Sequence, residues 1–156
     1  MFHLILFEPE IPPNTGKFIR LCANAGATLH LVQPLGFSLD DAQLRRAGLD
    51  YHDLARVREH RSLAECLRQF ELTRVFPVET HGGRRHTDHR YRAGDAFLFG
   101  RETNGLPGEA LSQFAVDQVI RLPMVPGNRS LNLSNAAAIV LFEAWRQLGF
   151  SGDCVT

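Results

Sequence analysis

Lysine is almost missing from this 156-residue chain: Lys17 is the one lysine among 17 basic residues, and the rest are arginine. Arginine presents a planar fork of donors that suits phosphates and stacks on bases, so the bias leans towards anion contacts. Excess charge of either sign is missing as well, since 17 acidic residues balance the 17 basic ones. That excludes an overall basic field and leaves any nucleic-acid partner a local patch to bind. Cys22, Cys66 and Cys154 are few, odd in number and far apart without a CxxC spacing. Neither a disulfide framework nor a zinc site is expected, no metal is assigned, and the compartment reads as reducing cytoplasm. The longest apolar run, Ala136 to Phe142, falls well short of the roughly 18 residues of a membrane span. Phe2 to Phe7 is too short for a secretory leader and has no basic flank. Three motifs are missing too. Without GxGxxG or GxxxxGK(S/T) the common dinucleotide and P-loop cradles are excluded, and without GxSxG there is no nucleophile elbow for a serine hydrolase.

With 44% hydrophobic and 22% charged residues, the chain has the composition of one globular domain over residues 1–156, with a loose tail after about residue 150. Phe2 to Phe7 reads as a buried strand stopped by Pro9, Pro12 and Pro13. Asn14 or Thr15 is then expected to cap a helix bearing Phe18, Leu21, Cys22 and Ala25, which Gly26 closes. Further strands are expected at Thr28 to Gln33, Ala55 to Arg58, Arg74 to Val78, Ala96 to Gly100 and Gln118 to Leu122. Helices are expected from Asp40 to Ala47, from Ser62 to about Phe70 behind a capping box, and from the Ser130 to Asn135 cluster to about Leu148. His81 to Arg92, with four arginines against Asp88, reads as a solvated loop. This alternation predicts an α/β domain whose mostly parallel sheet is covered by helices on both faces.

In such sheets ligands sit beyond the carboxyl ends of the strands. Three segments fall there: Asn14-Thr15-Gly16 with Arg20, Phe99 to Pro107, and Leu122 to Asn135. Taken singly they read as turns and caps. Together they place a carboxylate, an arginine and a dense Ser/Asn cluster at one edge. His81, His86 and His89 are irregularly spaced and suit a loop meeting phosphates better than a metal site.

Glu8 to Gly16 with Arg20 to Ala23, Phe99-Gly100-x-Glu102-x-x-Gly105-Leu106-Pro107, and Ile120 to Met124 with Arg129 to Asn135 resemble, in order, the three motifs of the SPOUT ribose methyltransferases. The match is nearest to the small single-domain members that methylate the ribose 2′-oxygen of tRNA cytidine/uridine-34. It runs over nearly the whole chain, including Arg45 to His52 and Glu143 to Gly149. The resemblance implies a C-terminal deep trefoil knot, which general folding rules disfavour. It also implies S-adenosylmethionine as cofactor, bound by Val78, Gly100, Leu122, Ser130 and Asn132, with Val78 and Leu122 offering main-chain groups and Gly100 allowing close approach. Arg20, Glu102 and Asn14 are the implied catalytic residues. A guanidinium is not deprotonated in proteins, so Arg20 is a donor to the nascent oxyanion or the adjacent phosphate. Glu102 then orients Arg20 or the third motif.

The implied partners are a second copy of the chain and a tRNA anticodon stem-loop. The RNA would be gripped by Lys17, Arg20, Arg129, Arg84 and Arg85, with Arg90 and Arg92 extending the track. The wobble ribose of leucine tRNAs is the implied substrate. Another tRNA or rRNA position, or a non-catalytic RNA-binding module of the same fold, is the alternative. Lys17, Asn104 and Phe142 depart from the family pattern, which more often has Asn, Arg and Tyr there.

Overall fold

The computed structural model describes residues 1–39, 46, 48–54 and 56–154. Its strands are β1 (His3–Phe7), β2 (Thr28–Val32), β3 (Val57–His60), β4 (Val75–Val78), β5 (Arg84–Arg85), β6 (Ala96–Phe99) and β7 (Ile120–Arg121). Its helices are α1 (Pro12–Ala25), α2 (Tyr51–Leu54), α3 (Leu63–Leu67), α4 (Gly108–Leu111) and α5 (Leu133–Gln147). Among the described residues the strands form one sheet in the order β3-β2-β1-β6-β4-β7-β5, and every pairing is parallel.

Strand residues alternate between two apolar layers, as the two-residue period of a strand requires. Leu4, Leu6, Leu29, Leu31, Phe97 and Phe99 pack with α1 and α5 residues such as Phe18, Ile19, Val140 and Leu141. Ile5, Phe7, Val32, Ala96 and Leu98 pack on the other face with Leu63, Cys66, Ala110 and Phe114. Burial on both faces is why these strands are nearly continuous apolar runs. Among the described residues no helix is long and apolar enough to cross a membrane.

Several boundaries differ from the sequence reading. Helix α1 starts at Pro12, with Ile11 as N-cap and prolines in its first two positions, where a fixed φ and a missing N–H do no harm. Asn14 and Thr15 therefore lie inside the first turn, buried, and do not cap it. Ser62 caps α3 by accepting from Glu65 N (3.1 Å), but the Glu65 carboxylate reaches Arg61 N, and the helix ends at Leu67. The third strand is displaced to Val57–His60, and Ala55 lies outside the described residues. So does the expected helix from Asp40 to Ala47, apart from Arg46.

Gln118 is not a strand residue: its side chain accepts from Ala115 N and donates to Leu72 O and Val75 O, closing a 3₁₀ turn ahead of β7. The segment 81–92 is not wholly a solvated loop. Arg84–Arg85 pairs with β7, His86 is buried, and His89 packs edge-on to Phe76. Burial lowers the pKa of both histidines, so they are poor cations for gripping phosphate.

Candidate active site

At the carboxyl ends of β4, β6 and β7 a cavity of about 550 Å³ opens, within the range of small-molecule sites. Asn14, Val78, Gly100, Glu102, Leu122, Arg129, Ser130 and Asn132 all line it, although they come from segments far apart in the chain. Val78, Phe99, Leu122 and Ala136 supply apolar wall, and the asparagines, Ser130 and the carboxylates of Glu79 and Glu102 supply polar groups.

The loop after β6 folds back on itself through a two-way backbone bridge between Arg101 and Gly105. A Cβ on Gly100 would lie 2.1 Å from Gly105 C and 2.3 Å from Leu106 N, so no side chain fits there. Close approach at Gly100 is thus required by its own loop. That loop clamps the segment entering α1. Glu102 accepts from Glu10 N (2.9 Å) and Ile11 N (3.1 Å), and Thr103 Oγ1 donates to the Glu10 carboxylate (2.9 Å). Arg101 Nε donates to Glu8 Oε2 (2.9 Å), and Glu8 has a left-handed backbone at φ 48°. A non-glycine residue in that region is strained, and here the ion pair holds it. The expectation that Glu102 orients Arg20 or the third motif is corrected by these contacts. Its two oxygens satisfy amides at the α1 entrance, which have no helical partner.

Asn132 has two tasks. Its Oδ1 accepts from Ser134 N (3.0 Å), Asn135 N (3.3 Å) and Ser134 Oγ (2.6 Å), capping α5. Its Nδ2 donates to Asn14 Oδ1 (3.2 Å), joining the first motif to the third. Lys17 and Arg20 lie on the exposed side of α1, outside the cavity lining, and Arg20 Nη2 donates to Gly48 O (2.6 Å). Arg84 and Arg85 are exposed on β5, also away from the cavity, and Arg84 lies 3.5 Å from the Asp117 carboxylate.

Glu79 is missing from the sequence reading yet stands in the wall. Its only signal is an acid directly after a buried strand. Oε1 accepts from Leu106 N (2.7 Å), and burial raises its pKa above the usual carboxylate range.

A second unforeseen cluster lies in the β1–β3 half of the sheet. His3 Nδ1 and His30 Nε2 are 3.0 Å apart, His30 Nδ1 and His60 Nε2 are 2.9 Å apart, and His30, His60 and Cys66 present potential ligand atoms within 4.8 Å of one another. One proton per ring–ring contact, all pointing the same way along the row, satisfies the three imidazoles. Hydrogen bonding therefore accounts for the cluster.

Residues 1–142 match the SpoU rRNA Methylase family. The chain is 55% identical over 152 residues to the tRNA (cytidine(34)-2′-O)-methyltransferase of Methylovorus glucosotrophus (strain SIP3-4), covering 97% of this chain and 99% of that one. It is also similar to a solved structure concerned with 2-OH methylation of C/U34 on tRNA, with TM-score 0.87, 43% identity and coverage of 96% and 91%. The SpoU methyltransferase AviRb from Streptomyces viridochromogenes, solved in complex with the cofactor AdoMet, superposes with TM-score 0.80 at 26% identity. That alignment covers 97% of this chain and 58% of AviRb.

Proposed function

The chain belongs to the SpoU rRNA Methylase family of methyltransferases, and from that premise we propose that it methylates the ribose 2′-oxygen of nucleotide 34 in tRNA, with leucine tRNAs as its substrates. S-adenosylmethionine supplies an electrophilic methyl group on a sulfonium. The observation that carries this reading is the convergence of Asn14, Gly100, Glu102, Leu122, Ser130 and Asn132 on one cavity of about 550 Å³. Val78 and Leu122 fit the adenine as apolar neighbours with nearby main-chain groups, and Ser130 and Asn132 fit the polar remainder of the cofactor.

A ribose hydroxyl is a weak nucleophile, so most of the acceleration comes from alignment and from stabilising charge on oxygen. Asn14, held by Asn132, and the α1 entrance, held by Glu102, keep the acceptor side of the cavity in place. Arg20 donates to the developing alkoxide or the neighbouring phosphate, and the hydroxyl proton leaves to phosphate or water. Because Arg20 lies outside the cavity of its own chain, we assign it to the cavity of a second copy, so the working unit is a homodimer. Lys17, Arg85 and Arg129 extend a phosphate track for the anticodon stem-loop, while Arg84 and Arg92 are partly committed to Asp117 and Glu71. The same reading threads the C-terminus as a trefoil knot. The position of β7 between β4 and β5, both belonging to an earlier part of the chain, supports it, as does the grip of Gln147 on His89 and Tyr91. The enzyme works in the cytoplasm and needs no metal.

The test is mass spectrometry of leucine tRNA incubated with protein and S-adenosylmethionine. A methyl group on the 2′-oxygen of nucleotide 34 is expected, and an unmodified nucleotide 34 refutes the assignment. Arg20→Ala should abolish transfer and leave cofactor affinity unchanged; loss of both would remove Arg20 from its proposed role.

A further inference from the structure

Glu79 is the first residue after β4, and its backbone N–H is taken by Ile120 O (3.0 Å), so its side chain projects from a fixed point between the β6 and β7 loops. The carboxylate is seated on the Gly105–Leu106 turn. Leu106 N donates to Oε1 at 2.7 Å, and a Cβ on Gly105 would stand 3.0 Å from both oxygens. Gly105 has φ +65°, a conformation open to glycine, and lacks the Cβ that would press on the acid. Among the described residues no cation forms an ion pair with Glu79. Arg101 is committed to Glu8, and Arg129 lines the same cavity without pairing with it. Glu102, the cavity's other acid, has each oxygen on a backbone amide. Glu79 is therefore a carboxylate of the cavity wall without an ion pair, partly withdrawn from water; burial raises its pKa, and the Leu106 and Thr80 amides and the more distant His81 charge offset part of that rise.

We propose that Glu79 determines ligand specificity in this cavity: its carboxylate selects the positively charged methyl donor over the neutral product of the same shape. The inference rests on the methyltransferase reading above. In the transfer, the bond from the methyl carbon to sulfur breaks with its electron pair returning to sulfur. The bond from that carbon to the ribose oxygen forms, and the hydroxyl proton is released. The sulfonium charge is thereby lost, and with it the attraction to Glu79. The α-ammonium and carboxylate of the amino-acid part are common to donor and product, so their contributions cancel in the comparison. Coulomb attraction between unit charges across a cavity partly open to water is worth about tenfold in affinity. Glu79 thus favours donor binding and product release together, a device that backbone contacts to adenine cannot provide because both ligands share the adenine.

The experiment is calorimetric titration of the wild type and Glu79→Gln with S-adenosylmethionine, S-adenosylhomocysteine and sinefungin, a stable analogue with an ammonium in place of the sulfonium. Glutamine keeps an oxygen for Leu106 N and removes the charge. Expected for the variant is about tenfold weaker binding of S-adenosylmethionine and sinefungin, with S-adenosylhomocysteine changed less than twofold. The unchanged product affinity also shows that the variant site is folded. Parallel weakening for all three ligands, meaning contact with a shared part, overturns the inference, and so does no change for any of them. A wild type that binds none of the three instead defeats the methyltransferase reading.

Discussion

Lowering the pH from 7.5 to 5.0 should withdraw about 2 kcal/mol of folding stability through His30 alone. His30 is 2% exposed on β2, between His3 on β1 and His60 on β3, with Phe70 edge-on to its ring. Burial first, then the charges of His3, His60 and Arg58, take its pKa from 6.5 to about 3. Cys66, beside it, stays a neutral thiol, with its own pKa pushed up to about 12 by burial. The folded-state value is depressed, so the contribution is complete above pH 6.5 and is lost as pH falls towards 3. The unfolded chain then takes up a proton that the fold refuses. Each pH unit below 6.5 costs about 1.36 kcal/mol, which gives the stated figure at pH 5.0. A second proton on His30 would also make both ring nitrogens donors and force a neighbouring imidazole to reverse its bond.

Urea unfolding at the two pH values, for wild type and His30→Phe, measures this. Phenylalanine keeps a ring and does not titrate. The absolute stability of the variant falls because His3 and His60 lose a partner, so the readout is the difference between its two pH values. Wild type should lose about 2 kcal/mol more than the variant, or about 1 M in midpoint at a slope of roughly 2 kcal/mol/M. Equal losses would refute the reasoning. Glu79, with a raised pKa, acts in the opposite direction, and Glu143, held at about 2 by Arg146 and Gln147, titrates below this window.

Three substitutions test the scaffold around the cavity. Gly100→Ala places a Cβ 2.1 Å from Gly105 C, so denaturation should show a loss of at least about 2 kcal/mol, and calorimetry a loss of cofactor binding. Asn132→Ala removes the α5 cap and should cost about 1 kcal/mol in thermal unfolding. Asn132→Asp keeps the cap but has no donor for Asn14, so stability should be retained while methyl transfer to tRNA falls severalfold. Asp95, fully buried, accepts from Arg74 Nε (2.7 Å) and Arg92 N (2.8 Å). Asp95→Asn should destabilise by about 3 kcal/mol in chemical denaturation, since it leaves Arg74 without its counter-charge.

Local chemistry determined much of this protein from the sequence by itself. The apolar runs of β1, β2 and β6 and the αL glycines at Gly26 and Gly149 are signals read within a few residues, and they specify a parallel α/β sheet, whereas Pro12 and Pro13, which read as the stop of β1, prove to open α1. The three motif segments were legible for the same reason, since strand-to-loop junctions rich in Gly, Ser and Asn have a recognisable composition. Tertiary structure alone decided what those junctions do. Asn132 meets Asn14 across 118 positions, and Glu102 meets Glu10 across 92, and no periodicity carries information over such distances. The two-residue strand β5 exists because it finds β7 as a neighbour, not because of propensity. Glu79 and the His3–His30–His60 row look ordinary in the chain. One acquires its meaning from the turn it is seated on and the cavity it lines. The other acquires it from the packing of three strands, which puts imidazoles in a line and excludes water.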